Sequence, residues 1–210
     1  MTPDRRDEAQ AVPEAPSRRS LFSRHPTAPY MVAALGVTIV TAIVLKLMGR
    51  VWWCGCGQRN LWAGDIWSKH CSQHLLDPYT FTHISHGLLF YCLLAVFAKN
   101  LSRAQRFFIA VLVECGWEVL ENSPLIINRY RSVTIALDYF GDSIVNALAD
   151  IGACALGFAI VFRLGWRVAL VLLAVMELLL LIFIRDNLLL NIVMLLYPID
   201  AIKNWQTPAG

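Results

Sequence analysis

The sequence predicts an all-α polytopic membrane protein: a bundle of about five transmembrane helices plus a short C-terminal helix, half-inserted or interfacial. Three observations carry that expectation. The 210 residues are 57% hydrophobic and 16% charged, whereas soluble domains are roughly half apolar and about 25% charged. Mean hydropathy is +0.54. The apolar residues also fall in runs long enough, at ~1.5 Å per helical residue, to cross a hydrocarbon core ~30 Å thick. One domain accounts for these runs, and no second, soluble domain fits. The net charge of +3 is mild and the basic residues are scattered through loops, so nucleic-acid binding is unsupported.

In chain order, residues 1–29 carry Pro3, Pro13, Pro16, Pro26 and Pro29 with charges of both signs. Such a stretch buries too little apolar surface to offset the entropy of ordering, which predicts a disordered cytoplasmic tail. Ser17-Arg18-Arg19-Ser20-Leu21-Phe22 is loosely similar to a twin-arginine export signal. The apolar run behind it contains Lys46 and leads into Trp52-Trp53 without a small-residue cleavage site, so an uncleaved anchor is expected. Residues 30–206 form the single transmembrane domain. Its first span covers about 30–48. Residues 51–81 then turn polar and aromatic, with Trp52, Trp53, Trp62, Trp67 and Tyr79 suited to an interfacial loop. Later spans are expected over about 83–98, 107–122, 143–162 and 168–184. Arg185-Asp186-Asn187 supplies a helix N-cap signal, and the short helix follows over 188–203. A sixth, short span over 187–202 is the alternative where the bilayer thins. Residues 207–210 are a tail.

Orientation is read from Lys and Arg density. Arg18, Arg19 and Arg24 precede the first span, Lys99, Arg103 and Arg106 crowd the second link, and Arg163 and Arg167 flank the fourth. These mark the cytoplasmic side and place the N-terminus there.

Several ionisable residues do not belong in lipid, where a charge at the bilayer centre costs from ~3 kcal/mol upward. Glu114, Glu118 and Glu121 stand four and three apart, on one helical stripe. Asp142, Asn146 and Asp150 repeat the step of four, and His83 and His86 stand one turn apart, followed by Gly87. With the N-terminus inside, the stripes converge on the outer leaflet, joined there by Asn122, Asn128, Arg129, Arg131 and Asp138. The bland reading is a set of interhelical pairs, such as Arg129 or Arg131 with Glu118, Glu121 or Asp142, and Arg185 with Asp186 or Glu177. The functional reading makes Glu118, Glu121 and Asp142 catalytic. It assigns ligand binding to Asn122, Arg129, Arg131, Asp138 and Asn146.

Metal ligation is a further candidate role, with a divalent ion such as zinc as the cofactor. His83 and His86 offer imidazoles beside carboxylates, and His74, four residues after His70, is a weaker candidate. A zinc-protease helix would need a Glu directly after the first His, where Ile84 stands. Cys54-Gly55-Cys56 with Cys71 beside His70 suits either a thiolate and imidazole site or a disulfide. Cys92, Cys115 and Cys154 read as packing residues.

Longer motifs carry a resemblance. Ser72-Gln73-His74-Leu75-Leu76-Asp77-Pro78-Tyr79, His83-x-x-His86-Gly87, Trp117-Glu118-x-x-Glu121-Asn122-Ser123-Pro124, Arg129-Tyr130-Arg131, Asp138-Tyr139-Phe140-Gly141-Asp142-Ser143 and Ile184-Arg185-Asp186-Asn187 follow in order. Across residues 30–206 the chain resembles the UPF0314 (DUF2585) family of bacterial membrane proteins. The resemblance implies a multi-pass inner-membrane protein and supplies no reaction. A looser likeness is to VanZ-like membrane proteins, whose order Glu118, Arg131, Asp142 and Asn146 follow, with Ala149 where a glycine is usual. It implies work at the envelope surface.

Three functions fit these residues. One is an enzyme acting on an envelope lipid or its head group, with His and carboxylates moving protons and Arg129 and Arg131 clamping an anion. Another is a non-catalytic binding or transport-related protein for an ion, proton or small ligand. A third is a structural or assembly protein whose charges register its helices. The bilayer is the expected partner in all three, with an envelope lipid or anionic small ligand in the first.

Overall fold

The computed structural model describes residues 27–134 and 138–207. The expected N-terminal tail lies outside the described residues up to position 26. Eight helices make up the described chain: α1 (Ala28–Leu47), α2 (Thr80–Phe97), α3 (Arg103–Glu121), α4 (Pro124–Val133), α5 (Ile144–Leu164), α6 (Trp166–Ile184), α7 (Leu188–Leu196) and α8 (Asp200–Gln206). The class is all-α. Four helices, α1, α2, α5 and α6, are long and apolar enough to cross a membrane.

The expected third span is α3, with 19 residues as long as its neighbours. Arg103, Arg106, Glu114, Glu118 and Glu121 make it too polar to qualify on apolarity. It runs against α1 and α5. Its outward-looking polar groups are therefore few: Glu114 and Glu118 are buried while Leu112, Val113 and Leu120 are exposed.

Local chemistry sets the helix boundaries. Ser102 and Gln105 form a reciprocal capping box at the start of α3. Ser143 accepts from Asn146 N to start α5, and Asn187 accepts from Leu190 N to start α7. Pro124 opens α4 in its first turn, where a missing N–H costs nothing. Gly165, at φ 87°, parts α5 from α6 in a conformation that excludes most side chains. The expected C-terminal helix is two pieces, α7 and α8, broken around Pro198. Nine residues give α7 a length of roughly 14 Å, about half a bilayer core.

The centre of the bundle is the α2–α5 pair, where two glycines let the backbones touch. A Cβ on Gly87 would run into Cys154 O and Phe158 N, and one on Gly157 into Ile84 O and Leu88 N. Without a hydrophobic drive between helices in lipid, close backbone approach of this kind supplies the packing. One turn before Gly87 stands His83, and one turn before Cys154 stands Asp150. The glycine crossing thus sets the distance between the polar residues above it.

Residues 51–79 form no helix and cover one end of the bundle, hereafter the loop end. A short parallel bridge pairs Trp62 with Leu76. Loop carbonyls accept the first N–H groups of α5, Ser143 N to Ser72 O and Ile144 N to Val51 O, both at 2.9 Å. Arg50 donates to Phe140 O, and Gln73 Nε2 to Gly141 O at 2.6 Å. The loop is stitched to the segment before α5 rather than lying free.

Candidate functional site

The site begins where α2, α3 and α5 meet. His83 Nδ1 stands 2.6 Å from Glu114 Oε1, and His86 Nδ1 stands 3.0 Å from Glu114 Oε2. An ionised carboxylate only accepts, so both imidazoles carry their proton on Nδ1. Each Nε2 is left to take a proton or a metal, with Glu114 fixing the ring that does so. His83 Nε2 faces Asp150 Oδ2 at 3.9 Å, and its Nδ1 is 3.4 Å from Glu118 Oε1. Three carboxylates of the bundle interior share two imidazoles.

Glu118 is the exceptional member. It is 0% exposed, and neither carboxyl oxygen has a hydrogen-bond partner among the described residues. Asp150 Oδ1 is in the same condition. An ionised carboxylate without partners in such a place is among the most costly arrangements available to a protein. His83, Glu118 and Glu121 each bring a ligand atom within 4.8 Å of the others, as do His83, His86 and Glu114.

Glu121, one turn nearer the loop end, is half-buried and lines a cavity of about 250 Å³. The other walls come from the loop (Ile66, Trp67, Ser68, Cys71, Ser72), from Tyr79, from Tyr130 and Thr134, from Asp138 and Tyr139, and from Asp186 and Asn191. Ser72 holds φ 58° at this wall, a left-handed conformation that a non-glycine residue adopts only under constraint. The constraint is visible: Ser72 N donates to Asp77 Oδ2 at 2.9 Å while its carbonyl caps α5. Burial, with the Glu121 charge alongside, pushes the Tyr130 phenol well above its ordinary value. Burial does the same to Tyr79, next to Asp186.

A supporting network holds the loop end together. Asp142 accepts from Asn122 Nδ2 at 2.7 Å and from the Tyr139 hydroxyl at 3.0 Å, and returns its own N–H to Asn122 Oδ1. Burial nonetheless raises the Asp142 carboxyl to about 6. Asp186 accepts from Tyr79, Asn191 and Gln206, and burial raises it to about 6 as well. Asp77 accepts from the backbone of Ser72, Tyr79 and Thr80, and Asn146 Nδ2 lies 3.5 Å from it.

The expected site residues therefore divide. His83, His86, Glu118 and Glu121 come together, Asn122 and Asp142 form the layer beside them, and Asn146 leans toward Asp77. Asp138 is exposed at the cavity wall. Arg129 Nε donates to Leu195 O at 3.0 Å, pinning α4 to α7, and the Arg131 guanidinium lies 4.6 Å over the Phe140 ring. Neither arginine lines the cavity. Arg185 donates to Trp205 O, and Glu177 accepts from Leu188 N and Leu189 N at the start of α7. His74 lies apart from the α2–α3–α5 cluster, in the loop with Cys54, Cys56 and His70. Cys71 turns instead toward Ser72 and the cavity. Sequence reasoning gave no part in the site to Asp77, Tyr79, Tyr130 or Tyr139. Of these only Asp77 carried a signal, as an Asp-Pro turn before a helix start.

Comparison with known proteins adds a lineage. The family described as "Protein of unknown function (DUF2585)" matches residues 45–208. A UPF0314 protein of Sinorhizobium fredii is 46% identical over 177 residues, covering 84% of this chain and 90% of that one. One of Paracoccus denitrificans is 45% identical over 190 residues, covering 90% and 97%. A third, of Novosphingobium aromaticivorans, is 45% identical over 180 residues, covering 83% and 91%. No solved structure matches.

Proposed function

This chain belongs to the UPF0314 (DUF2585) family, and from that premise we propose that it is a bacterial inner-membrane protein with a cation-dependent centre on its extracytoplasmic side. The centre comprises His83, Glu118 and Glu121, with Glu114 orienting the imidazole. Its ion is a divalent metal such as zinc, for which one imidazole and two carboxylates are an ordinary donor set. The cavity above Glu121 admits the head group of an envelope lipid or another small ligand, and the centre binds or processes it there.

The observation that carries this reading is Glu118, whose two oxygens are buried without a partner beside His83. Such a carboxylate needs positive charge, which a protonated His83 at 3.4 Å or a bound cation supplies, and the convergence of His83, Glu118 and Glu121 favours the cation. The acidic cavity wall, with Glu121, Asp138 and Asp186, makes the bound metal the element that attracts an anionic head group. Arg129 is committed to the carbonyl of Leu195 and contributes to assembly. Asp142 and Asn122 keep the loop end in register.

The test is lipid and metabolite profiling of a deletion strain beside a Glu118→Gln strain with matched protein levels. The reading expects Glu118→Gln to reproduce the deletion's change in envelope lipids. A Glu118→Gln strain indistinguishable from wild type would refute it.

A further inference from the structure

The loop end holds a second cluster, apart from the carboxylate centre. We propose that Cys54, Cys56, His70 and His74 bind one zinc ion or a similarly soft divalent cation, which ties the two ends of the 51–79 loop together over the cavity. All four residues bring a ligand atom within 4.8 Å of one another. Cys54 Sγ stands 3.4 Å from His70 Nδ1, and two ligands on a tetrahedral zinc, at ~2.3 Å for sulfur and ~2.0–2.1 Å for nitrogen, stand about 3.5 Å apart. The backbone N–H of Cys56 points at Cys54 Sγ from 3.4 Å. His74 is 1% exposed and its Nε2 has no partner among the described residues. A buried imidazole nitrogen without a partner, set among two thiols and a second imidazole, is the observation that points to a missing ligand.

The fold gives such an ion a task. The loop contains no helix and a single bridge, and a segment of this length rarely holds its shape without a staple. Cys54 and Cys56 follow α1 closely, whereas His70 and His74 flank Cys71 and Ser72 of the cavity wall. A Cys2His2 zinc site joins these points and carries no net charge once both thiols release their protons to water. The Trp53 indole N–H lies 3.3 Å from His74 Nδ1. A metal on Nε2 moves the ring proton to Nδ1 and a metal on Nδ1 displaces the indole, so loading must disturb Trp53 either way.

The detergent-solubilised, reduced full chain is titrated with Co2+. In the Glu118→Gln background, which lacks the carboxylate centre, the proposal expects a thiolate-to-cobalt charge-transfer absorption that saturates at one equivalent, is abolished by Zn2+ and is accompanied by altered tryptophan emission. Carboxylates and imidazoles cannot produce that band, so wild type and Glu118→Gln both show it, either single serine weakens it to one thiolate's share, and Cys54→Ser/Cys56→Ser loses it. Absence of the band, or its persistence in Cys54→Ser/Cys56→Ser, overturns the proposal. Alkylation of the unmutated protein, read by mass spectrometry, covers the case of a variant that does not fold. Zinc must protect Cys54 and Cys56, and equal labelling with and without zinc, or a Cys54–Cys56 disulfide in protein taken from the membrane, also overturns it.

Discussion

The two polar clusters are built on opposite principles. The one between α2, α3 and α5 is held by rigid helices whose separation is fixed by Gly87 and Gly157, and its donors are imidazole and carboxylate. The one in the loop is held by turns, and its donors are thiol and imidazole. A helical scaffold fixes side chains by itself and leaves the ion free for chemistry. A turn-built scaffold depends on its ion for shape. The first centre should therefore tolerate loss of its cation and fail when the helices are moved, while the second should behave in the reverse way.

The largest effect is expected from the helix crossing. Gly157→Leu forces a side chain into the α2 backbone at Ile84 and should abolish accumulation of a monodisperse bundle, measured by size-exclusion chromatography in detergent. Gly152→Ala on the same helix meets nothing within 4 Å and should be silent. Next come two glutamates one turn apart. Glu114 accepts from both His83 and His86, so Glu114→Gln should destabilise by about 1–3 kcal/mol. In metal-free protein Glu118→Gln removes a buried charge whose oxygens have no hydrogen-bond partner and should leave the thermal midpoint unchanged or raised. Equal losses for the two would show that Glu118 is an ordinary structural member.

A smaller, local effect is expected from chelation. Stripping the loop metal should open Arg59 and Lys69 to trypsin while helices α1 to α6 stay intact, as read by peptide mapping. The smallest is a pH effect. Asp142 and Asp186 titrate near 6 in the folded chain, against an ordinary 3.8, because burial disfavours their charge. Folding thus favours the protonated forms, whose stabilising share is whole below about pH 4 and is lost as pH rises through 6. Asp142→Asn should flatten this fall by on the order of 1–3 kcal/mol, measured as the difference in thermal midpoint between pH 4 and pH 7.

Much of the first cluster was legible because helices write their faces in steps of three and four. Glu114, Glu118 and Glu121 could be aligned with His83, His86 and Asp150 before any contact was known. Apolar runs likewise marked α1, α2, α5 and α6. The status of α3 was harder to read, because its carboxylates look outward on a hydropathy scale yet point into the bundle. Loop geometry has no such period. Nothing in the spacing distinguished His74 from Cys71 as the companion of Cys54 and Cys56, and the cavity tyrosines Tyr79, Tyr130 and Tyr139 are set by contacts distant in sequence. Sequence order also says little about where the arginines reach: Arg129 follows the carboxylates closely, and α4 brings its guanidinium to Leu195 O of α7.

The most direct test of the account is zinc stoichiometry in a Cys54→Ser/Cys56→Ser background, which removes the loop centre and leaves the intramembrane one. Equilibrium dialysis of that variant in detergent should find one zinc bound per chain, and addition of Glu118→Gln should reduce it to none. No bound zinc in the double-serine variant, or one equivalent still bound after Glu118→Gln, would contradict the assignment of His83, Glu118 and Glu121 as a cation centre.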